Sequence, residues 1–272
     1  MPDTDSLNAY TPVEIARRVE AAGESKARMA LLPLAMLSVL AGAFIGLGAM
    51  LFVMVRSDAS LGFATGAFFG GLVFSLGLLM VVVAGAELFT GNNLLVLAWA
   101  DGRIRSTQLL RNWAVVCLGN FVGAAGLALL VYWSGHTQLN GGAVGQKVVQ
   151  IALAKQALPF WTAFVRGVLC NILVCMAVWM AMGGRSVVDK LVAVVFPITA
   201  FVAAGFEHSI ANMYLMPLAM LLQASGTSAD AQAVTWAGML GNLLPVILGN
   251  LSGGAGLVGL VYYVIYLRQP SR

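Results

Sequence analysis

Charge is scarce in this sequence: 10% of its 272 residues are Asp, Glu, Lys or Arg, whereas 60% are hydrophobic, and the mean hydropathy is +0.89. This composition excludes a soluble domain of that length. Histidine occurs only twice, which excludes a haem-binding bundle built on four histidines. The three cysteines lack metal-ligand spacing, so we expect small buried hydrophobic residues rather than a metal or redox site.

Long apolar runs make up most of the chain. Six of them are long enough to cross about 30 Å of hydrocarbon. They cover residues 30–55, 64–100, 109–133, 160–182, 191–223 and 236–267. The second and fifth runs are longer than a simple span needs, and each contains a polar interruption with a glycine. We therefore predict an all-α integral membrane protein with six transmembrane helices, of which the second and fifth are broken.

Lysine and arginine are distributed unequally between the two sides of this arrangement. Four of these residues fall on one side of the six-span arrangement: Arg56, Lys147, Lys155 and Arg166. The others fall on the side that holds both termini, so the positive-inside rule predicts cytoplasmic termini and a multi-pass protein of the cell inner membrane. These juxtamembrane residues also explain the net charge of +4 without a nucleic-acid partner.

The segment before the first apolar run has the signature of a helix start rather than of a signal peptide. In "TPVE", Thr11 is placed as N-cap, Pro12 as the first helical residue and Glu14 as the closing member of a capping box. We predict a cytoplasmic amphipathic segment at 1–29, a single transmembrane domain at 30–268 and a cytoplasmic tail at 269–272. The two halves of that domain are about 30–134 and 160–268.

The two halves are related by an internal repeat. "GNFVGAAGLALLVYW", from Gly119, and "GNLSGGAGLVGLVYY", from Gly249, are identical at nine of fifteen positions. "AGAELFTGN", from Ala84, likewise matches "AGFEHSIAN", from Ala204, at Ala-Gly-x-Glu and at the final Asn. Because each unit holds three spans, the second must enter the membrane from the opposite face. This inverted repeat with broken helices favours an aquaporin-like architecture and a transport function.

Ionisable side chains at membrane depth are the first candidates for function, because each costs roughly 3 kcal/mol or more in hydrocarbon. Glu87 and Glu207 are repeat-related, and we expect their carboxylates to accept backbone N–H groups freed at the helix breaks, with direct contact with a substrate as the alternative. His208 follows Glu207 directly and is the stronger candidate for contact with a substrate. Smaller polar residues at similar depth are candidates for the lining of a pore. The alternative is that they form hydrogen bonds between helices. They are Thr90, Asn92, Asn171, Asn212 and Asn250.

The motifs "AGAELFTGN", "FEHSIANM", "LCNILVC" and "LGNLSGG" resemble those of the formate/nitrite transporter family, over nearly the whole chain. The resemblance implies a homopentamer in the lipid bilayer, each protomer having its own pore for small monovalent anions or the corresponding weak acids. It implies no cofactor and no metal. "ALAK" and "ELFTG" resemble the nitrite branch and "FSLGL" the formate branch, so both anions are candidate substrates.

Roles for individual residues follow from the resemblance where the motifs match. His208 corresponds to the central pore histidine and Glu207 to its neighbour. The resemblance places Leu78, Leu88 and Thr90 at the cytoplasmic narrowing of the pore, and Phe74 and Phe201 at its periplasmic constriction. From periodicity alone, the two leucines and the two phenylalanines would be ordinary core or lipid-facing residues. It also implies a vestibule lysine and three pore-facing residues: Lys155, Asn171, Val174 and Asn250.

These roles suggest that Lys155 attracts anions and that His208 supplies a proton, because a neutral acid passes a hydrophobic ring far more readily than a bare anion. Three alternatives stay open. Hydrosulfide or another small anion could be the main substrate. A water or glycerol channel would share the fold, although it normally carries paired Asn-Pro-Ala motifs that are absent here. A respiratory membrane anchor would need haem ligands or an interaction surface.

Overall fold

The computed structural model describes residues 8–226 and 232–268, and the regular secondary structure of these residues is helical throughout. The tail proposed at 269–272 lies outside the described residues. The α-helices are α1 Pro12–Ala27, α2 Leu31–Arg56, α3 Phe63–Met80, α4 Val96–Ala100, α5 Ser106–Trp133, α6 Ala143–Gln156, α7 Phe160–Gly183, α8 Val187–Ala203, α9 Ser209–Ala224, α10 Trp236–Leu251 and α11 Val261–Tyr266.

Among the described residues, five helical stretches are long and apolar enough to cross a membrane, which makes this an integral membrane protein. They are Leu31–Arg56, Phe63–Gly85, Ser106–Trp133, Phe160–Gly183 and Trp236–Tyr266. The second stretch continues α3 through a π-helical turn, and the fifth joins α10 to α11 through a π-helical segment, Ser252–Leu260. The fifth apolar run of the sequence consists of two shorter helices, α8 and α9.

The two polar interruptions seen in the sequence coincide with gaps between helices. After the π-helical turn Val81–Gly85, the chain is extended at Ala86 and returns to a helical conformation in a 3-10 turn, Gly91–Leu95. After α8, the helical conformation resumes at Ser209. Gly85 and Gly205 have φ angles of +86° and +71°, which a residue with a Cβ rarely adopts. In both halves, a glycine with a positive φ angle therefore lies where the helix ends and the gap begins.

Helix α1 begins as the sequence predicts. Thr11 is its N-cap, Pro12 is its first residue, and Thr11 and Glu14 form the reciprocal capping box. The backbone N–H and then the hydroxyl of Thr11 lower the pKa of the Glu14 carboxyl. The helix packs against the 3-10 turn Gly91–Leu95, α4 and α7. It therefore lies across one end of the helical domain.

Helix α6 was not predicted from the sequence, which placed no element between the third and fourth apolar runs. It is less apolar than the spans and too short to cross a membrane, so hydropathy does not reveal it. Its buried residues nonetheless follow a helical period, at Val144, Val148, Val149 and Ala152. This face packs against α9, and it brings Lys155 next to the second gap between helices.

The two halves pack their helices in the same way, with α2 against α5 in the first and α7 against α10 in the second. Glycine makes this close approach possible. A Cβ at Gly123 would overlap the Val39 carbonyl, and a Cβ at the repeat-related Gly253 would overlap the Val168 carbonyl. Small residues are the usual means of bringing helices together in a membrane.

Gly123→Ala is therefore expected to lower the apparent unfolding temperature in detergent, at a cost of about 1–3 kcal/mol from overpacking. Gly126→Ala is the matched control on the same helix, because nothing lies within 4 Å of a Cβ there. That control should be neutral or slightly stabilising, since alanine favours helix more than glycine does. Equal unfolding temperatures for the two variants would contradict this account of the interface.

Candidate functional site

His208 lies at the second gap between helices, where it is the N-cap of α9. Its Nδ1 accepts the backbone N–H of Ala211 at 3.2 Å, and its Nε2 lies 3.0 Å from the hydroxyl of Thr90 in the first gap. Because Nδ1 accepts a hydrogen, the neutral ring carries its own hydrogen on Nε2 and donates it to Thr90. One hydrogen bond thus joins the two gaps, and the imidazole in this arrangement is neutral.

Two phenylalanines cover this histidine on one side. The ring of Phe201 stacks on His208 with centroids 5.8 Å apart, and Phe74 meets it edge-on at 6.5 Å. The two phenylalanines also contact each other, with centroids 5.7 Å apart. Leu78 and Leu88, which come from α3 and from the first gap, are fully buried. The four apolar residues singled out in the sequence analysis thus belong to one buried cluster, and the two phenylalanines of that cluster contact His208.

Leu78 and Leu88 line one cavity, and Phe74, Phe201 and His208 line another. The larger has a volume of about 470 Å³ and lies toward the C-terminal end of α3; its lining includes Leu78 and Leu88. The smaller, of about 210 Å³, lies nearer the N-terminal end of α3; its lining includes Phe74, Phe201 and His208. We call them the α1-side cavity and the α6-side cavity, since Val19 and Lys26 line the first, and Ile151 and Lys155 line the second.

Glu207 sits at the edge of the α6-side cavity in a closed network of side chains. Its Oε1 accepts the Lys155 ammonium at 2.8 Å, and its Oε2 accepts Asn212 Nδ2 at 2.7 Å. Asn212 also donates to Asn242 Oδ1 at 2.8 Å, and Asn242 donates to the Lys155 carbonyl at 3.0 Å. The network therefore ties α6, α9 and α10 to the gap before α9.

Glu87 is held by the same arrangement in the first half. Its Oε1 is 3.1 Å from the Lys26 ammonium, and its Oε2 accepts Asn92 Nδ2 at 2.7 Å. Asn92 donates to Asn112 Oδ1 at 3.0 Å, and Asn112 donates to the Lys26 carbonyl at 3.3 Å. One difference breaks the symmetry, because Lys26 also donates to Asn92 Oδ1 at 3.0 Å, whereas Asn212 Oδ1 has no hydrogen-bond partner among the described residues.

The repeat-related asparagines Asn120 and Asn250 brace the two gaps. Asn250 donates to the carbonyls of Glu207 and Gly167 and accepts the N–H of Ser209. Asn120 does the same in its own half, with the carbonyls of Glu87 and Ser38 and the N–H of Phe89. One carbonyl and one N–H at each gap are thus satisfied by an asparagine side chain.

The expectation for the glutamates is therefore wrong. In the part of the chain that the structure describes, neither carboxylate accepts a freed backbone N–H; each instead accepts one lysine and one asparagine side chain. The freed N–H groups have other acceptors: Asn120 and Asn250 accept those of Phe89 and Ser209, and the carbonyls of Leu37 and Arg166 accept those of Glu87 and Glu207. Glu207 also makes no hydrogen bond to His208 in the described structure, where the ring bonds to Thr90 and Ala211.

Neither cavity is lined by five of the candidate residues from the sequence analysis, which are Thr90, Asn171, Val174, Asn212 and Asn250. Asn171 is fully buried and donates to Asn93 Oδ1 and the Asn250 carbonyl, each at 2.7 Å. Val174 is buried in the core, and Asn250 has the bracing contacts described above. Their pore-facing role stays a prediction.

Lys26 is the site residue that the sequence analysis missed. It was counted only as a juxtamembrane charge, although it pairs with Glu87 as Lys155 pairs with Glu207. The repeat could have revealed it, because Lys26 and Lys155 are separated in the sequence by nearly the same number of residues as Asn120 and Asn250.

Comparison with known proteins gives the same picture at three levels. A sequence profile of the family described as "Formate/nitrite transporter" matches residues 13–264. "Formate channel FocA" of Escherichia coli (strain K12) is 39% identical over 281 residues, covering 99% of each chain. The protein with the same description from Haemophilus influenzae is 40% identical over 264 residues, covering 92% of this chain and 93% of that one.

Solved structures agree with the sequence comparisons. One described as "Pentameric formate channel with formate bound" matches with a TM-score of 0.80 at 36% identity, covering 88% of this chain and 98% of that one. Another, described as "FNT family ion channel", matches with a TM-score of 0.83 at 33% identity, covering 93% and 98%. Both superpose nearly their whole length on the helical domain.

Proposed function

Because this chain belongs to the formate/nitrite transporter family, we propose that it is a membrane channel for small monovalent anions, with formate as the first candidate and nitrite as the second. Its relatives are described as formate channels, and a structural neighbour of the same fold was solved with formate bound. The proposed role is transport, not catalysis.

The observation that carries the proposal is the Thr90–His208 hydrogen bond between two cavities. A permeating species would have to pass Leu78 and Leu88 on one side and Phe74 and Phe201 on the other, with this pair between them. Carrying a bare anion past such apolar side chains costs several kcal/mol, whereas a neutral weak acid avoids most of that cost. A polar hydrogen-bond donor at this point suits the anion of a small acid.

The tautomer of His208 defines what it would do. In the neutral ring, Nδ1 accepts the Ala211 N–H and keeps the ring oriented, while Nε2–H can turn from Thr90 to the permeating anion and donate a hydrogen bond. To transfer a proton, the ring first takes up a second proton from an aqueous cavity at Nδ1, because a neutral ring that lost its Nε2 proton would become an imidazolate. The imidazolium then gives its Nε2 proton to the anion as the anion enters the apolar region, and the neutral ring regains its starting tautomer by proton exchange with water.

The membrane arrangement we propose has six crossings in an inverted repeat. At about 1.5 Å per residue, α8 and α9 each reach only about 25 Å, so together they form one broken crossing. The stretch from α3 to α4 forms the other. By the positive-inside rule, α1 and both termini lie in the cytoplasm, and the α6-side cavity opens to the periplasm. We also propose that the chain assembles as a homopentamer, because the structural neighbour is described as pentameric, and that it resides in the inner membrane.

The test is uptake of radiolabelled formate and nitrite into proteoliposomes at several external pH values. We expect saturable uptake of at least one anion, and the ratio of the two ranks the substrates. If neither exceeds uptake by empty liposomes, the proposal fails, and hydrosulfide and water become the species to measure.

A further inference from the structure

Each cavity contains a second basic residue besides its lysine–glutamate pair. Lys155 and Glu207 line the α6-side cavity together with Arg166, and Lys26 and Glu87 line the α1-side cavity together with Lys190. Arg166 is exposed and Lys190 is half-buried. Within the described ranges, neither side chain has an ion pair or a hydrogen bond, whereas both pairing lysines are about 3 Å from a carboxylate.

The pairing decides which cation generates a field. A lysine 2.8 or 3.1 Å from a carboxylate forms a dipole, and the potential of a dipole falls off quickly with distance. The unpaired arginine or lysine keeps a whole charge. His208 adds none in this arrangement, because its Nδ1 accepts the Ala211 N–H. Each cavity is therefore left with one uncompensated positive charge among the described residues.

The internal repeat does not account for these two residues. Arg166 corresponds to Leu37, since their carbonyls accept the N–H groups of Glu207 and Glu87 respectively. Lys190 corresponds to Gly70 at the spacing that relates those glutamates. The repeat thus supplies the paired lysines, whereas two unrelated positions supply the free charges. Both cavities nevertheless reach the same balance.

We propose that Arg166 and Lys190 are the residues that recruit the anion, one at each end of the path, and that Lys155 and Lys26 mainly hold the glutamate networks. This rests on the proposed function as an anion channel. A unit charge acting over about 5–10 Å of water raises the local concentration of a monovalent anion by about two- to fourfold.

The local potential can be measured without any transport. A single cysteine at Ala154, which is exposed and lines the α6-side cavity, is placed in a background with the three native cysteines replaced by alanine. The protein in detergent is treated with an anionic and a cationic methanethiosulfonate reagent, and the ratio of the two rates reports the potential. A cysteine at Ala84 does the same for the α1-side cavity.

Arg166→Gln is expected to lower the anionic-to-cationic rate ratio at position 154 by about fourfold or more, because the two reagents differ by two charges. The matched control is Lys147→Gln, which removes one charge from the same helix as Lys155 but does not line the cavity. For Lys190→Gln and the probe at position 84, the control is Arg17→Gln on α1. Equal ratios for a variant and its control would overturn the proposal.

Formate uptake by proteoliposomes separates this inference from the proposed function. Arg166→Gln should reduce uptake at low substrate by about two- to fourfold, and the loss should shrink at high ionic strength, where charges are screened. If the substitution lowers the rate ratio but the wild type shows no formate flux, Arg166 and Lys190 do set the potential of the cavities, and the channel function is refuted instead. Wild-type flux with an unchanged potential would refute the recruiting role alone. If the cysteine-free background does not fold, the salt dependence of uptake decides between the same outcomes.

Discussion

Glu207→Gln is expected to lower stability by about 3–5 kcal/mol, because it leaves the Lys155 ammonium largely buried without its carboxylate. Only 16% of the Lys155 side chain is exposed, so water cannot replace the lost partner well. In the wild type, Glu207 Oε2 accepts the Asn212 side-chain N–H. A glutamine amide can place its own N–H at that position, where it would face the Asn212 donor. The apparent unfolding temperature in detergent, followed by circular dichroism, measures the effect.

A double substitution tests whether the effect comes from the ion pair. Lys155→Met together with Glu207→Gln removes both charges, so it should cost less than the sum of the two single changes. Breaking one side of a buried pair leaves a bare charge, whereas removing both does not. Strictly additive losses would show that the contact between the two side chains contributes nothing.

The repeat supplies a second control. Glu87→Gln should cost less than Glu207→Gln, because 32% of the Lys26 side chain is exposed and Lys26 keeps a hydrogen bond to Asn92 Oδ1 at 3.0 Å. A larger loss for Glu87→Gln would contradict the view that burial of the lysine sets the cost.

Much of this architecture was predictable because the membrane restricts what a sequence can do. Backbone groups in hydrocarbon must be satisfied internally, so long apolar runs become helices. The interruptions were visible for the same reason, since a polar group in a span needs a compensating structure. Gly85 and Gly205 mark these gaps in the sequence as they do in the structure.

The side-chain networks were not predictable from such rules. Glu87 and Glu207 stood out as costly charges, but hydropathy does not say which neighbours neutralise them. Lys155 comes from a short helix outside the long apolar runs, and Lys26 from the last turn of α1, so both approach from elements that a span-by-span reading sets aside. Pairing across elements depends on the fold, which the sequence gives only through the repeat.

His208→Asn is expected to reduce formate flux at neutral pH by about tenfold to a hundredfold, while the protein still folds. Asparagine is a good N-cap, so its Oδ1 can take the place of Nδ1 as acceptor for the Ala211 N–H. It cannot supply the Nε2 proton, so the anion must pass Phe74 and Phe201 charged, against a barrier of several kcal/mol. Uptake into proteoliposomes, with circular dichroism to verify folding, measures both effects.

The pH profile separates a proton donor from a mere spacer. As external pH falls toward the pKa of the acid itself, more of the substrate arrives already neutral, so the variant should recover a larger share of wild-type flux. His208→Leu should lose flux as well, and also about 1 kcal/mol of stability, because leucine cannot cap α9. If His208→Asn keeps both the neutral-pH flux and the wild-type profile, the histidine handles no proton. The Thr90–His208 bond would then have only a structural role, like the hydrogen bonds that Asn120 and Asn250 make at each gap.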